Sequence, residues 1–442
     1  MSTALDRSAN LPGYYSSAWP VECGGNRRQK AAAGGLHARG ATADVTTSVN
    51  GRWNVMMIRR ADDELYLCGT MPAFTGPPPF GWLQRLHPHT LEVIAESPQL
   101  PCRDHVWCGA IAAHANGDII KVNGSVMHRL NADCQVVVER ELPVDQAHNG
   151  LLILSDGSIV TKDLRLEGQG PSTVTHLSPD GLELIGEPFA LPEGSMGRIA
   201  SDRTADGEFI YIPGIERVWR LRVAPESLSV DETWTPTYRS AGGDQGLSWD
   251  GCLSDGALWL MDNGDIDSLR AIYGVHPNGR FDEPSDRLSW RRPAPWRGRQ
   301  RLLRVSLAKG TICDIAPFEH DGGGIIAPPV HVPELNMCIA WDSINGGLAG
   351  IVTQGDELEV AWRINARPSM QPVVFPETGE LVINDFRDGD DQLIVVDMRA
   401  GEVISRVSTG SRVANGMFLT PGLARDIYYC STFAISRVQW QS

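Results

Sequence analysis

Amide side chains recur in this chain where an apolar strand is about to begin. Asn54, Asn149, Gln245, Gln371 and Asn415 lead into runs such as Val55-Met56-Met57, Gly150-Leu151-Leu152 and Gly416-Met417-Phe418. If these positions converge on one axis, their side-chain carbonyl oxygens, joined by a carboxylate, make the ligand set that a hard cation such as Ca²⁺ prefers, and that cation would polarise a substrate carbonyl. The competing interpretation is that Asn-Gly and Gln-Gly bend the backbone where a loop enters a strand.

Titratable groups stand beside the amides. Asp104 and His105 precede one apolar strand, His148 abuts Asn149, Asp244 abuts Gln245, and His320 and Asp321 lead into a glycine run. A neutral imidazole near a carboxylate is the usual general base at neutral pH. The candidate catalytic groups are therefore His148, His105, Asp104 and Asp244, and the candidate divalent-cation ligands are Asn149, Gln245, Asn415 and Asn54. Gln371, Arg198, His320, Trp107 and Trp249 are the candidate substrate contacts. Neighbours on a strand point to opposite faces, so His148 and Asn149 can act together only if His148 lies in the loop before its strand. A second tier of acids, Asp163, Asp262, Asp342 and Asp385, is expected to bond backbone amides of the neighbouring blade. GxSxG, P-loop, HExxH and EF-hand patterns are absent, as is CxxC.

The elements that must position these groups repeat. An amide or small polar residue, a short apolar strand, a turn such as Ser155-Asp156-Gly157-Ser158 or Ser254-Asp255-Gly256-Ala257, and a second apolar strand return at intervals of roughly 44 to 50 residues, a period that marks a β-propeller. Starts near residues 54, 108, 149, 197, 246, 324, 371 and 415 predict an all-β, single-domain propeller of eight blades, with seven as the alternative. The last unit ends after three strands. Ala43-Asp44-Val45-Thr46-Thr47-Ser48 is expected to supply its fourth and close the ring by pairing the two ends of the chain. This gives an N-terminal segment, 1–50, and a propeller, 51–442, with a Pro- and Arg-rich insertion at about 276–300 lying over one face with Trp290 and Trp296 as apolar contacts.

Composition fits one turn-rich body, with 46 Gly and 29 Pro among 442 residues. A net charge of −15 argues against a nucleic-acid partner, despite the local basic run at 280–304. No apolar run is long enough for a membrane span, and the first residues lack a signal-peptide core, so the expected setting is the cytoplasm. The nine Cys read as reduced, buried small hydrophobes.

His148-Asn149-Gly150-Leu151-Leu152-Ile153-Leu154-Ser155-Asp156-Gly157 and Asp244-Gln245-Gly246-Leu247-Ser248-Trp249-Asp250-Gly251 resemble successive blades of the gluconolactonase, paraoxonase and strictosidine-synthase-like propellers. The resemblance implies a catalytic Ca²⁺ in the channel, with Asn149 matching the family's Asn ligand and Asp244 or Gln245 its Asp. Near Asp104 the family's early Glu has no counterpart, and the family has six blades. The leading expectation is divalent-cation-assisted hydrolysis of a lactone or ester at the channel mouth, without a nucleotide cofactor. The alternatives are a lyase or isomerase using a His base and a non-catalytic scaffold for a protein partner.

Overall fold

The computed structural model describes residues 11–71, 78–166, 168–239, 247–264, 298–355, 357–369, 371–411 and 418–441. Alternating apolar strands broken by tight turns fold into antiparallel sheets. Six have four strands each, laid down in chain order, beginning with Cys108–Ala113, His148–Ile153, Ala200–Thr204, Ser248–Ser254, Val330–Val332 and Val373–Phe375. A seventh sheet has seven strands and joins Leu419–Pro421 and Asp426–Trp440 to Ala43–Ala61, Glu64–Met71, Phe80–Leu86 and Val93–Glu96, with Leu100–Pro101 added at Phe80–Leu86. The fold is that of a β-propeller protein.

Burial follows strand order. Cys108–Ala113 and His148–Ile153 are buried at every position, whereas the fourth strands Val136–Glu141 and Glu357–Ile364 have mostly exposed faces. First strands that are apolar on both faces belong in the centre, and half-polar fourth strands on the rim. Glycine lets the first strands crowd together. A Cβ on Gly109 would meet the His148 carbonyl oxygen at 2.2 Å, and one on Gly197 would meet that of Trp249 at 1.3 Å.

The ends of the chain pair. Ala43–Val49 runs antiparallel to Trp440–Ala434, after which the same long strand shifts register and pairs through Trp53–Ala61 with Thr70–Glu64. Asp426–Trp440 doubles back on itself at Phe433, whose φ is +69°, and Trp440 N donates to Arg425 O.

The segment from Leu11 to Ala41, expected only to lead into the closing strand, does more. Its backbone meets Arg59 and Ala113 of two first strands, Ser201 and Leu253 of two others, and Val374 of a fifth. Asn26 Nδ2 donates to Ile153 O, and Lys30 Nζ to Pro328 O just ahead of Val330–Val332. Residues 11–41 thus touch all seven sheets. This crossing segment meets first strands along their length, while Cys23 Sγ reaches Gln371 at the opening of another.

Candidate active site at the channel axis

The amides that open the first strands are held by protein groups. Asn54 donates to Ser431 O at 2.9 Å, and its oxygen accepts from Asn50 Nδ2 at 2.8 Å. Asn149 donates to Met196 O at 2.8 Å and accepts from Trp107 Nε1 at 3.2 Å, while Gln371 Oε1 accepts from the Cys23 thiol at 2.8 Å. Asn54 ties strands of its own seven-stranded sheet, Asn149 links its sheet to residues leading into two neighbouring sheets, and Gln371 meets the crossing segment. Their oxygens are engaged, the described donors are neutral, and the described residues include no cluster of three or more His, Cys, Asp or Glu able to hold a metal. This part of the set does not fit a calcium ion. Asp244, Gln245 and Asn415 lie outside the described residues, as do 265–297, which hold most of the expected insertion, Trp290 and Trp296 included.

His148 is not in a loop. It is the first residue of His148–Ile153, pairs with Asp163 and is wholly buried, and a register shift separates it from Leu151. Its Nδ1 lies 2.9 Å from Gln146 O, an acceptor, so Nδ1 carries the proton and Nε2 presents its lone pair. Among the described residues that Nε2 has no hydrogen-bond partner. Burial pushes the imidazole down to about 4 against the opposing pull of Asp163, leaving it neutral at physiological pH.

Arg198, from the next sheet, lies against the same strand; a Cβ on Gly150, whose φ is +89°, would stand 3.0 Å from its Cβ. Its guanidinium faces the Phe418 ring at 5.0 Å, and its Nε meets Glu22 Oε1 at 3.0 Å. Arg28 meets Glu22 and Asp250 at 3.0 Å each, and Asp250 accepts from the Arg198 backbone N at 2.6 Å. Two guanidiniums and two carboxylates thus alternate around the axis, all nearly inaccessible to solvent. Within this ring Arg198 Nη2, Arg28 Nε and Glu22 Oε2 have no hydrogen-bond partner among the described residues. Lys162, fully buried, donates to the Asp163 and Ser195 carbonyls and is driven down to about 7 by desolvation.

The other expected residues are not brought to this place. Asp104 is exposed, and His105 pairs at 3.2 Å with the surface carboxylate Asp145. His320 is 40% exposed, stacks on Phe318 and stands 3.6 Å from Asp342. Trp249 is buried core. Among the second-tier acids, Asp342 bonds the backbone N of Gly324 and Ile344, which flank strands of its own sheet and do not belong to a neighbouring blade; Asp262 pairs with Arg301 at 2.6 Å, and Asp163 and Asp385 bond both an arginine and a backbone N. Glu22, Arg28 and Asp250 were missed. The one sequence signal was the charged stretch Glu22-Cys23-Gly24-Gly25-Asn26-Arg27-Arg28-Gln29-Lys30, in which Cys23, Arg28 and Lys30 all take positive φ. Such strained non-glycine residues persist only where their surroundings over-determine them.

No protein-family model matches the chain, and no curated protein matches it in sequence. Solved structures match in fold. A europium-containing methanol dehydrogenase superposes with a TM-score of 0.62 at 10% identity, over 95% of this chain and 89% of the other. A quinohemoprotein alcohol dehydrogenase from Pseudomonas putida HK5 gives 0.61 at 9% identity, over 98% and 81%, and the Dos1 propeller gives 0.56 at 8%, over 89% and 94%. These likenesses establish the β-propeller fold and leave chemistry to the site itself.

Proposed function

We propose that this propeller is an enzyme acting on a small neutral molecule at the axis, with hydrolysis of a lactone or ester as its reaction. The observation that carries the reading is the unpartnered Nε2 of His148, buried and held in its basic tautomer one strand away from the unpartnered Nη2 of Arg198. His148 would take a proton from water, and Arg198 would meet the oxyanion that develops on the substrate carbonyl. The other unpartnered atoms, Arg28 Nε as donor and Glu22 Oε2 as acceptor, suit hydroxyl groups, and the neutral charge ring disfavours a strongly ionic substrate. A divalent cation is not needed for this scheme. The test is turnover of a panel of sugar lactones and aryl esters by the wild type and His148→Gln, a variant that keeps the side-chain volume. Loss of about 10²-fold or more in kcat with an unchanged Tm is expected. Full activity in the variant, or no turnover of any ester or lactone by the wild type, overturns the reading; release of an unsaturated product would point to a lyase on the same groups.

We also infer that the sheets form a closed ring of eight blades. In this reading the seven-stranded sheet counts as two, the eighth made of Leu419–Pro421, the two arms of Asp426–Trp440 and Ala43–Val49. The reach of residues 11–41 to every sheet supports the ring, and nine free thiols with no disulfide among the described residues suit the reducing cytoplasm. No helix among the described residues is long and apolar enough to cross a membrane.

A further inference from the structure

The chain carries 35 Arg and four Lys, so lysine is a rare choice, and three of the four lysines (Lys30, Lys121 and Lys162) are buried beyond reach of solvent. Lys30 and Lys162 donate to backbone carbonyls, but the recorded partner of Lys121 Nζ is a thiol, Cys108 Sγ at 3.1 Å. No carboxylate pairs with Lys121 among the described residues. A buried ammonium needs a counter-charge, and the thiolate form of Cys108 is the group in place to supply it. A compact ammonium also suits a single sulfur better than the planar fork of arginine would.

A second sulfur faces the first. Cys68, from the second strand of the adjoining sheet, places its Sγ 3.6 Å from that of Cys108. Closing that gap to the roughly 2.05 Å of a disulfide needs a movement of about 1.5 Å, within reach of side-chain rotation. Cys108 opens its strand and is 2% exposed, so a partner oxidant must be small and uncharged.

We propose that Cys108 and Cys68 form a peroxide-reactive dithiol in which Lys121 holds Cys108 as the attacking thiolate and Cys68 resolves it. Cys108 attacks one oxygen of hydrogen peroxide; the S–O bond forms, the O–O bond breaks, and the departing hydroxide takes the Lys121 proton to leave as water. Cys68 then attacks the Cys108 sulfenic acid, the S–S bond forms, and the hydroxyl leaves with the Cys68 proton as a second water. Two thiols are oxidised by two electrons, one peroxide is reduced to two waters, and the disulfide ties the first two sheets together. This chemistry stands apart from the His148 scheme and does not depend on it.

The test uses the reduced full chain, treated with a small excess of hydrogen peroxide, alkylated and mapped by mass spectrometry after digestion. A cross-linked pair of peptides holding Cys68 and Cys108 is expected. Cys68→Ser should stop at a sulfenic acid on Cys108 that a dione probe labels, and Lys121→Met should slow the reaction about tenfold or more by withdrawing the cation that favours the thiolate. The rate of Cys108 oxidation in the wild type should also stay level as pH falls from 8 to 7, a readout that needs no variant. The proposal is overturned if oxidation falls on the half-exposed Cys313 while Cys68 and Cys108 still alkylate, or if the Cys108 rate drops tenfold per pH unit as for an ordinary thiol.

Discussion

Asp250 shows how much a single side chain carries here. It bonds Arg28 and the Arg198 backbone from a site with no solvent contact, so its loss leaves two guanidiniums facing one carboxylate. Breaking a buried ion network by removing one partner costs about 3–5 kcal/mol. Asp250→Asn is expected to lower stability by that order in chemical denaturation; Arg28→Met combined with Asp250→Asn, which removes one charge of each sign, should cost less than the sum of the two single variants. Asp391 is a different kind of buried acid, with Tyr429 and Asn384 donating to it and no cation pairing with it among the described residues, and desolvation raises it to about 7. A carboxyl with a raised folded-state pKa contributes stability that is fully present below its unfolded value near 4 and is lost as pH rises through about 7. Wild-type stability should therefore carry a component falling by about 1.4 kcal/mol per pH unit across that window, absent in Asp391→Asn. Denaturant melts at pH 4.5, 5.5 and 6.5 that run parallel for the two proteins would contradict it. At this scale the sequence singled out His148 and Arg198 but could not tell which amides were engaged: whether Asn149 binds an ion or the Met196 carbonyl is decided by a partner 47 residues away.

Elements explain both what was legible and what was not. The period of strands and turns survived translation into structure because each sheet is built from contiguous sequence, and alternation with Asp-Gly turns is a local signal. The glycine after each opening residue was read as a bend, and the structure gives it a further cause at Gly109 and Gly197, where the carbonyl of the next first strand occupies the space a side chain would need. Gly197→Ala is expected to be among the more destabilising small substitutions, since backbone must shift to relieve a 1.3 Å approach to Trp249 O, while Gly256→Ala, with open space around it, should cost only its positive-φ strain. Comparable melting temperatures for the two variants would remove close approach as the reason for glycine at 197. The crossing segment 11–41 was illegible because it has no period, and its charged residues look like a solvated tail until the cavity that receives them is known.

At the scale of the whole molecule, the central question is what holds the last sheet to the first. Ala43–Val49 pairs with the C-terminal strand and continues directly into Trp53–Ala61, which pairs with Glu64–Thr70, so one uninterrupted element joins the strands of both chain ends. An unpaired edge there would expose backbone donors and acceptors along Ala434–Trp440 and invite association with other copies. The crossing segment offers a second tie, from the axis outwards, and the two can be separated by truncation. Removing residues 1–42 takes away Glu22 and Arg28 and leaves Arg198 and Asp250 to neutralise each other, with the bridging strand intact. Removing 1–50 takes away that strand as well. If the ring is closed as inferred, the longer truncation should melt well below the shorter one and elute as aggregates, because an open edge is a cost that loss of the axial charges alone does not bring. Equal melting temperatures and equal monomer fractions for the two truncations would show that the strand pairing contributes nothing to closure, and that the axial segment alone keeps the sheets together.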